Sequence, residues 1–251
     1  MKVSIITVCF NSEKTIEDAI RSVVEQTHPD IEYIIIDGKS TDATLSVIEK
    51  YRNRISKIVS EKDEGIYFAL NKGIALATGD VVGMLHSDDF YPNKDVVSRV
   101  VSEFERTNSD SVYGDLHYVS REDPQKVFRH WVSSPFDRTQ FLKGWMPPHP
   151  TFFVKRKYYS QFGAFNTLFS FAADYELMLR FLYKHKLSSS YIPEVLVKMR
   201  TGGISNVSLK NRLHANREDR LAWKVNGLKA GKLTLLLKPL SKLRQFLRKY
   251  A

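Results

Sequence analysis

Residues 3–9, VSIITVC, form a mainly apolar run rich in β-branched side chains, with only Ser4 and Thr7 polar. That pattern predicts a strand buried on both faces of a sheet. Polarity returns at Asn11 and Ser12, which read as a turn and a helix cap. Ile16, Ala19, Ile20 and Val23 then recur at helical spacing, predicting a helix over 15–25. The rhythm repeats. IEYIIID (31–37) is a second strand that ends in an aspartate and Gly38, and STDATLSVIEKY (40–51) opens with capping residues and continues as a helix. ISKIVS (55–60), GIYFALNKGIALA (65–77) and DVVGMLHS (80–87) add a strand, a helix and a fourth strand. Strands alternating with helices at this spacing imply βαβ units and a mostly parallel sheet. Residues 1–90 therefore read as a nucleotide-binding α/β half.

Beyond residue 90 the rhythm changes. A helix is expected over 95–105, then SVYGDLHYVS and KVFRHWV as strands that can pair as a hairpin. The Pro-rich MPPHPTFFV leads into another strand, residues 173–185 form a helix, and SSSYIPEVLVKMR closes as a strand. No interior linker or repeat interrupts the chain, so residues 1–205 read as one domain and 206–251 as a tail. Residues 207–238 predict a long basic helix broken at Pro239. After it Leu240, Leu243, Phe246 and Leu247 form an apolar stripe beside Lys242, Arg244, Arg248 and Lys249, as in helices that lie in an anionic lipid interface or that pack on the domain or a second subunit.

Charge sharpens this division. The 251 residues carry a formal charge of +10. From residue 198 onward there are 14 Lys and Arg against 2 Asp and Glu, leaving 24 basic and 26 acidic residues before it. The body is near neutral and the basicity belongs to the end of the chain, which argues against a nucleic-acid binder and fits an anionic membrane surface. With one cysteine, Cys9, no internal disulfide is possible, and the N-terminal apolar run is too short for a signal peptide. A cytoplasmic protein is the simplest expectation, peripheral on the membrane's inner face if the tail binds lipid.

Ligands of open α/β sheets sit beyond the carboxyl ends of the strands. Three acidic stretches fall there: Asp37, Glu61-Lys62-Asp63-Glu64, and Ser87-Asp88-Asp89. An acid at one such end is ordinarily a solvated turn or a cap. Three at one edge are harder to dismiss, and adjacent Asp88 and Asp89 suit a hard cation, Mn²⁺ or Mg²⁺, which removes their mutual repulsion. Neither GxGxxG nor GxxxxGK[ST] is present, so a Rossmann dehydrogenase or P-loop NTPase is not expected.

VSIITVCFNSEKTIEDAIRSVVEQTHPDIEYIIIDGKSTDAT and SEKDEGIYFALNKGIALATGDVVGMLHSDDFY resemble successive stretches of the family 2 glycosyltransferases. HPTFFVKRKYYSQFGAFN and FAADYELMLR resemble the acceptor-side half of the same family, most of all the bacterial enzymes that build exopolysaccharide or O-antigen units. The resemblance implies a GT-A fold, a Rossmann-like mostly parallel sheet flanked by helices, with residues 91–205 forming the acceptor-side half. It also implies roles. The backbone around Thr7, Val8 and Phe10, with Asn11, lines the nucleoside pocket. Asp37 meets the base, Asp63 the base or ribose, and Asp88 lies near the ribose. Asp89 holds the metal that bridges the diphosphate. Asp174 matches the catalytic base of inverting members. The chain departs from the family at His86, where an acid or Asn is frequent, at Ala43, where Gly is frequent, and at Ala173, where Glu is frequent. Glu176 is the weaker candidate for the base.

The resemblance thus implies an inverting, metal-dependent hexosyltransferase. Its donor is a nucleoside-diphosphate sugar, by default UDP-linked, and its acceptor a glycan or polyprenyl-linked glycan in surface polysaccharide synthesis. A sugar nucleotidyltransferase and a non-catalytic carbohydrate-binding protein of the same fold are the alternatives. Donor sugar, acceptor, linkage and oligomeric state, homo-oligomer included, stay open. For His149 an acceptor or phosphate contact competes with simple packing. TGGIS (201–205) reads as a loop over the diphosphate or an ordinary turn, and the pairs Phe152-Phe153 and Tyr158-Tyr159 as core and groove wall.

Overall fold

The structure is a computed structural model that describes residues 1–202, 209–231 and 234. Its centre is a nine-stranded sheet. β1 (Val3–Cys9), β2 (Ile31–Asp37), β3 (Lys57–Ser60) and β4 (Val81–Met84) run parallel in the order β3-β2-β1-β4. β1 is buried along its whole length and β2 nearly so, because helices cover both faces. α1 (Ile16–Val24) buries Ile16, Ala19, Ile20 and Val23, the stripe its spacing predicts. α2 (Thr44–Glu49) and α3 (Ile66–Leu76) complete this half.

The sheet continues with a second set of strands. β5 (Asp89–Phe90) follows β4 almost at once, and α4 (Val96–Thr107) comes next, burying Val96, Val97, Val100, Val101 and Phe104. β6 (Ser111–Val119) and β7 (Val127–Trp131) form the expected hairpin. β8 (Phe153–Lys155) lies antiparallel between β4 and β6, and β9 (Ser189–Arg200) runs parallel to β6. β5 pairs antiparallel with β9, Asp89 opposite Met199. This two-residue strand was hidden in the sequence, yet it brings the end of β9 against Asp88 and Asp89.

α5 (Lys157–Phe162) and α6 (Ala173–Met178) cover the second half, and α6 runs on into a π-helical turn, Leu179–Lys184. α7 (Leu209–Val225) packs on α6 and buries Glu218, Asp219, Ala222 and Trp223. It stops well short of the predicted 238. Gly227 takes φ 68°, its amide donates to the Lys224 carbonyl at 3.0 Å, and the Leu228 amide donates to the Trp223 carbonyl at 2.9 Å. That is a Schellman closure, set at a glycine inside the basic run. The stripe over 240–249 and residues 203–205 of TGGIS lie outside the described residues. Phe152, Phe153, Tyr158 and Tyr159 are all buried. No helix among the described residues is long and apolar enough to cross a membrane.

Candidate active site

The parallel register aligns Cys9, Asp37 and Ser60 in one row at the carboxyl edge of the sheet. Asp37 is fully buried and accepts from the Ser40 amide (3.0 Å), the Ser40 hydroxyl (2.5 Å), the Ser60 hydroxyl (2.6 Å) and the Cys9 thiol (3.6 Å). Burial first, then the Asp37 charge, pushes the Cys9 thiol far above its ordinary pKa, so it is an inert donor. A carboxylate has about four acceptor positions. Those of Asp37 are taken, so a nucleobase donor must share or displace a partner. Asn11 takes φ 49°; its amide donates to Ser40 Oγ and its side-chain oxygen accepts from the Thr41 amide, both at 2.9 Å. These bonds tie the loops after β1 and β2 together. Phe10 between them is 62% exposed, a ring face without cover at the sheet edge. Thr7 turns its hydroxyl into the core, where it accepts from Tyr33 at 3.1 Å, so only its backbone is available to line a pocket.

Asp63 sits behind β3 with a nearly buried side chain, its Oδ1 2.5 Å from Lys72 Nζ and its Oδ2 without a hydrogen-bond partner. Lys72 also pairs with Glu61 at 2.7 Å, and the two carboxylates raise its pKa.

Asp88 and Asp89 are unequal. The Asp89 amide closes a turn onto the His86 carbonyl at 3.0 Å. Its carboxylate is 1% exposed; Oδ1 accepts from the Arg200 amide at 3.3 Å, while Oδ2 is buried with no partner. Burial first, then the Asp88 charge, raises its pKa well above the carboxylate range, and Arg200 opposes the rise. Asp88 is half-buried, and its carboxylate makes no hydrogen bond or ion pair with a described residue. Arg200 is the compensating cation. It is itself buried, donates from Nη1 to the Asp88 carbonyl at 2.9 Å, pairs with Asp18, and lies 4.9 Å over the Phe90 ring. Motif reading passed over Arg200. The signal was the pair of acids, which needs a nearby positive charge.

Asp174 occupies the first turn of α6, and its Oδ2 lies 3.1 Å from His149 Nδ1. The His149 ring is 6.1 Å from that of His86. Burial first, then His149, holds the His86 pKa down at about 4, against the pull of Asp88 and Asp174. His86 is thus within electrostatic reach of both acidic groups and joins them into one site. Tyr118 likewise feels both Asp89 and Asp174. Glu176 is 2% exposed and committed elsewhere, to Arg180 Nε and Nη2 and to Asn226 Nδ2, each at 2.9 Å. Three of its about four acceptor positions are taken, and burial keeps it from an acceptor hydroxyl.

Among the described residues no group of three or more His, Cys, Asp or Glu is arranged to hold an ion alone. A cation here would rest on few protein ligands and complete its shell with substrate oxygens and water, as Mg²⁺ does at phosphate sites. The orphaned Asp89 Oδ2 beside an uncommitted Asp88 fits such an ion.

The mixed α/β fold, with its curled and mostly parallel sheet, is of the GT-A kind found in glycosyltransferases. Residues 4–174, more than half of the chain, match the profile described as Glycosyl transferase family 2, and the chain belongs to that family of enzymes. It is 29% identical over 208 residues to a PGL/p-HBAD biosynthesis glycosyltransferase of Mycobacterium bovis, covering 81% of this chain and 78% of the relative. The fold is similar to that of Staphylococcus aureus TarS 1-349 in complex with UDP-GlcNAc, with TM-score 0.71 and 18% identity over 90% of this chain and 65% of that one. A longer TarS chain is matched over 43% of its length. It is also similar to the mannosyltransferase PcManGT of Pyrobaculum calidifontis in complex with GDP-Man and Mn²⁺, with TM-score 0.67 and 19% identity over 98% and 72% of the two chains. Membership of the family removes the nucleotidyltransferase alternative.

Proposed function

We propose that this glycosyltransferase moves a sugar, with inversion at the anomeric carbon, from a UDP-sugar to a hydroxyl of a glycan or polyprenyl-linked glycan in surface polysaccharide synthesis. The observation that carries the reading is the buried, unpartnered Asp89 Oδ2 at the same edge as the Asp174–His149 pair. The similar structures hold UDP-GlcNAc and GDP-Man, which supports a nucleoside-diphosphate donor here.

Thr7 and Phe10 backbone atoms, Asn11, Asp37, Asp63 and Asp88 line the nucleoside side of the site. Asp89, with Asp88 beside it, would hold Mn²⁺ or Mg²⁺. When bound, the ion supplies positive charge to the departing diphosphate. The transfer is a single displacement. Asp174 takes the proton of the acceptor hydroxyl as its oxygen bonds to the anomeric carbon, and the bond from that carbon to the diphosphate breaks with its electron pair going to UDP. General base help of this kind contributes about 10²–10⁴-fold. Alignment of donor and acceptor supplies the greater part. The His149 imidazole orients the base. The basic end of the chain favours docking at an anionic membrane, where a lipid-linked acceptor would be found.

The test is Asp174→Asn. It should abolish turnover of the donor while leaving metal-dependent UDP binding intact. Retained turnover would move the base elsewhere. If UDP, GDP and dTDP all fail to raise Tm in the presence of Mn²⁺, the donor assignment falls.

A further inference from the structure

The helix that carries Asp174 begins without a local cap. Its N-cap residue is Ala172, which has no side-chain acceptor for the first amides. The missing acceptor comes from α7, 46 residues later. Glu218 Oε1 accepts from the Ser170 amide and Oε2 from the amides of Phe171 and Ala172, each at 2.8 Å. The carboxylate is 5% exposed, and His214 Nε2 of the same helix lies 3.3 Å from Oε1. A buried negative charge here also faces the positive end of the α6 backbone dipoles.

The two residues after Asp174 are held by the same helix. Trp223 Nε1 donates to the Tyr175 hydroxyl and Asn226 Nδ2 to Glu176 Oε1, both at 2.9 Å. The chain is therefore pinned to α7 at 170–172 and again at 175–176, and Asp174 between the pins turns to His149. We infer that Glu218 is a positioning residue for the transfer reaction: α7 is a working part of the catalytic domain, and its carboxylate sets where the Asp174 side chain stands. This inference rests on Asp174 being the base.

The test uses the full chain with Glu218→Gln and Glu218→Ala. With the nucleotide sugar that the wild type hydrolyses, kcat should fall about ten- to a hundredfold, the loss that a displacement of about 1 Å brings. Donor KM should stay within about twofold, because the donor edge is untouched. Amide hydrogen exchange over 170–174 should accelerate, a readout that needs no substrate. Trp223→Phe removes another α7–α6 hydrogen bond without touching the three amides. It should lower Tm and cost kcat clearly less than either Glu218 variant. If Glu218→Ala does not fold, Glu218→Gln retains the shape and one acceptor and carries the test. Unchanged exchange over 170–174, a kcat within about twofold of wild type, or a loss no greater than that of Trp223→Phe would overturn the inference. Asp174→Asn separates the two levels: if it keeps turnover, the base assignment fails, whereas a dead Asp174→Asn beside fully active Glu218 variants removes the positioning role alone.

Discussion

His149 Nδ1 and Asp174 Oδ2 stand 3.1 Å apart, joining the Pro-rich turn before β8 to the first turn of α6. A carboxylate in this pairing is held in one orientation, and its second oxygen stays available for an acceptor proton. His149→Ala should lower kcat about ten- to a hundredfold with donor KM little changed, since orientation of the base is lost and donor contacts are not. His149→Gln, which can still donate to the carboxylate, should recover part of that loss. Steady-state kinetics on the three proteins decides it, and equal activity would remove His149 from the site.

Arg200 balances the Asp88-Asp89 pair from behind. Arg200→Met keeps the apolar stem over Phe90 and deletes the bonds to Asp88 and Asp18. Mn²⁺-dependent UDP affinity should fall at least about tenfold, and stability by about 1.5–3 kcal/mol, the scale of hydrogen bonds made by a charged group. Calorimetric titration and urea unfolding measure the two effects. An unchanged affinity would mean that the aspartates hold their geometry without it.

Glu176 and Asp174 are two positions apart on α6 and have different duties. Glu176→Gln should destabilise the fold by about 2–4 kcal/mol, because Arg180 loses its buried carboxylate. At a temperature where the variant is folded, kcat should remain within about threefold of wild type. A collapse of kcat like that of Asp174→Asn would shift the base to Glu176.

Acid stability should depend on Glu32 in β2. Burial alone would raise its pKa, but bonds from the Ser4 hydroxyl (2.6 Å), the Thr78 amide (2.7 Å) and hydroxyl (2.8 Å) and Lys57 (3.3 Å) outweigh it and hold the group at about 2. A carboxyl depressed in the folded state stabilises the fold above its unfolded pKa of about 4.5. That contribution, about 2–3 kcal/mol, drains away as pH falls from about 4.5 to about 2. Glu32→Gln should be less stable than wild type at pH 7, and the two should converge toward pH 2. Parallel curves across that window would contradict the hydrogen-bond account.

The parallel half of the fold was legible because β1 and β2 are buried on both faces and so are mainly apolar, with helical spacing of apolar residues between them. Asp37, Asp63, Asp88 and Asp89 were legible as strand-end acids, because each ends or closely follows a strand of the parallel half. What was hidden depends on distant pairing. β5 is two residues long and exists only because β9 lies beside it. Arg200 and Glu218 each complete a part of the site from far along the chain, where neither belongs to a motif. The approach of His149 to Asp174 depends on the fold and was not legible in the sequence. The saturation of Asp37 by Ser40, Ser60 and Cys9 needed the register of three strands. The end of α7 at Gly227 was readable in principle, since glycine after a helical run is a stop signal. The basic run masked it.

The central claim is a single inverting displacement assisted by Asp174. Time-resolved ¹H NMR of hydrolysis of an α-linked UDP-sugar by the wild-type chain and by Asp174→Asn tests it most directly, because the first sugar released carries the stereochemistry of the step. The account predicts that the β-anomer appears first with the wild type and that Asp174→Asn releases no sugar above background. Release of the α-anomer first, or undiminished release by Asp174→Asn, would contradict it.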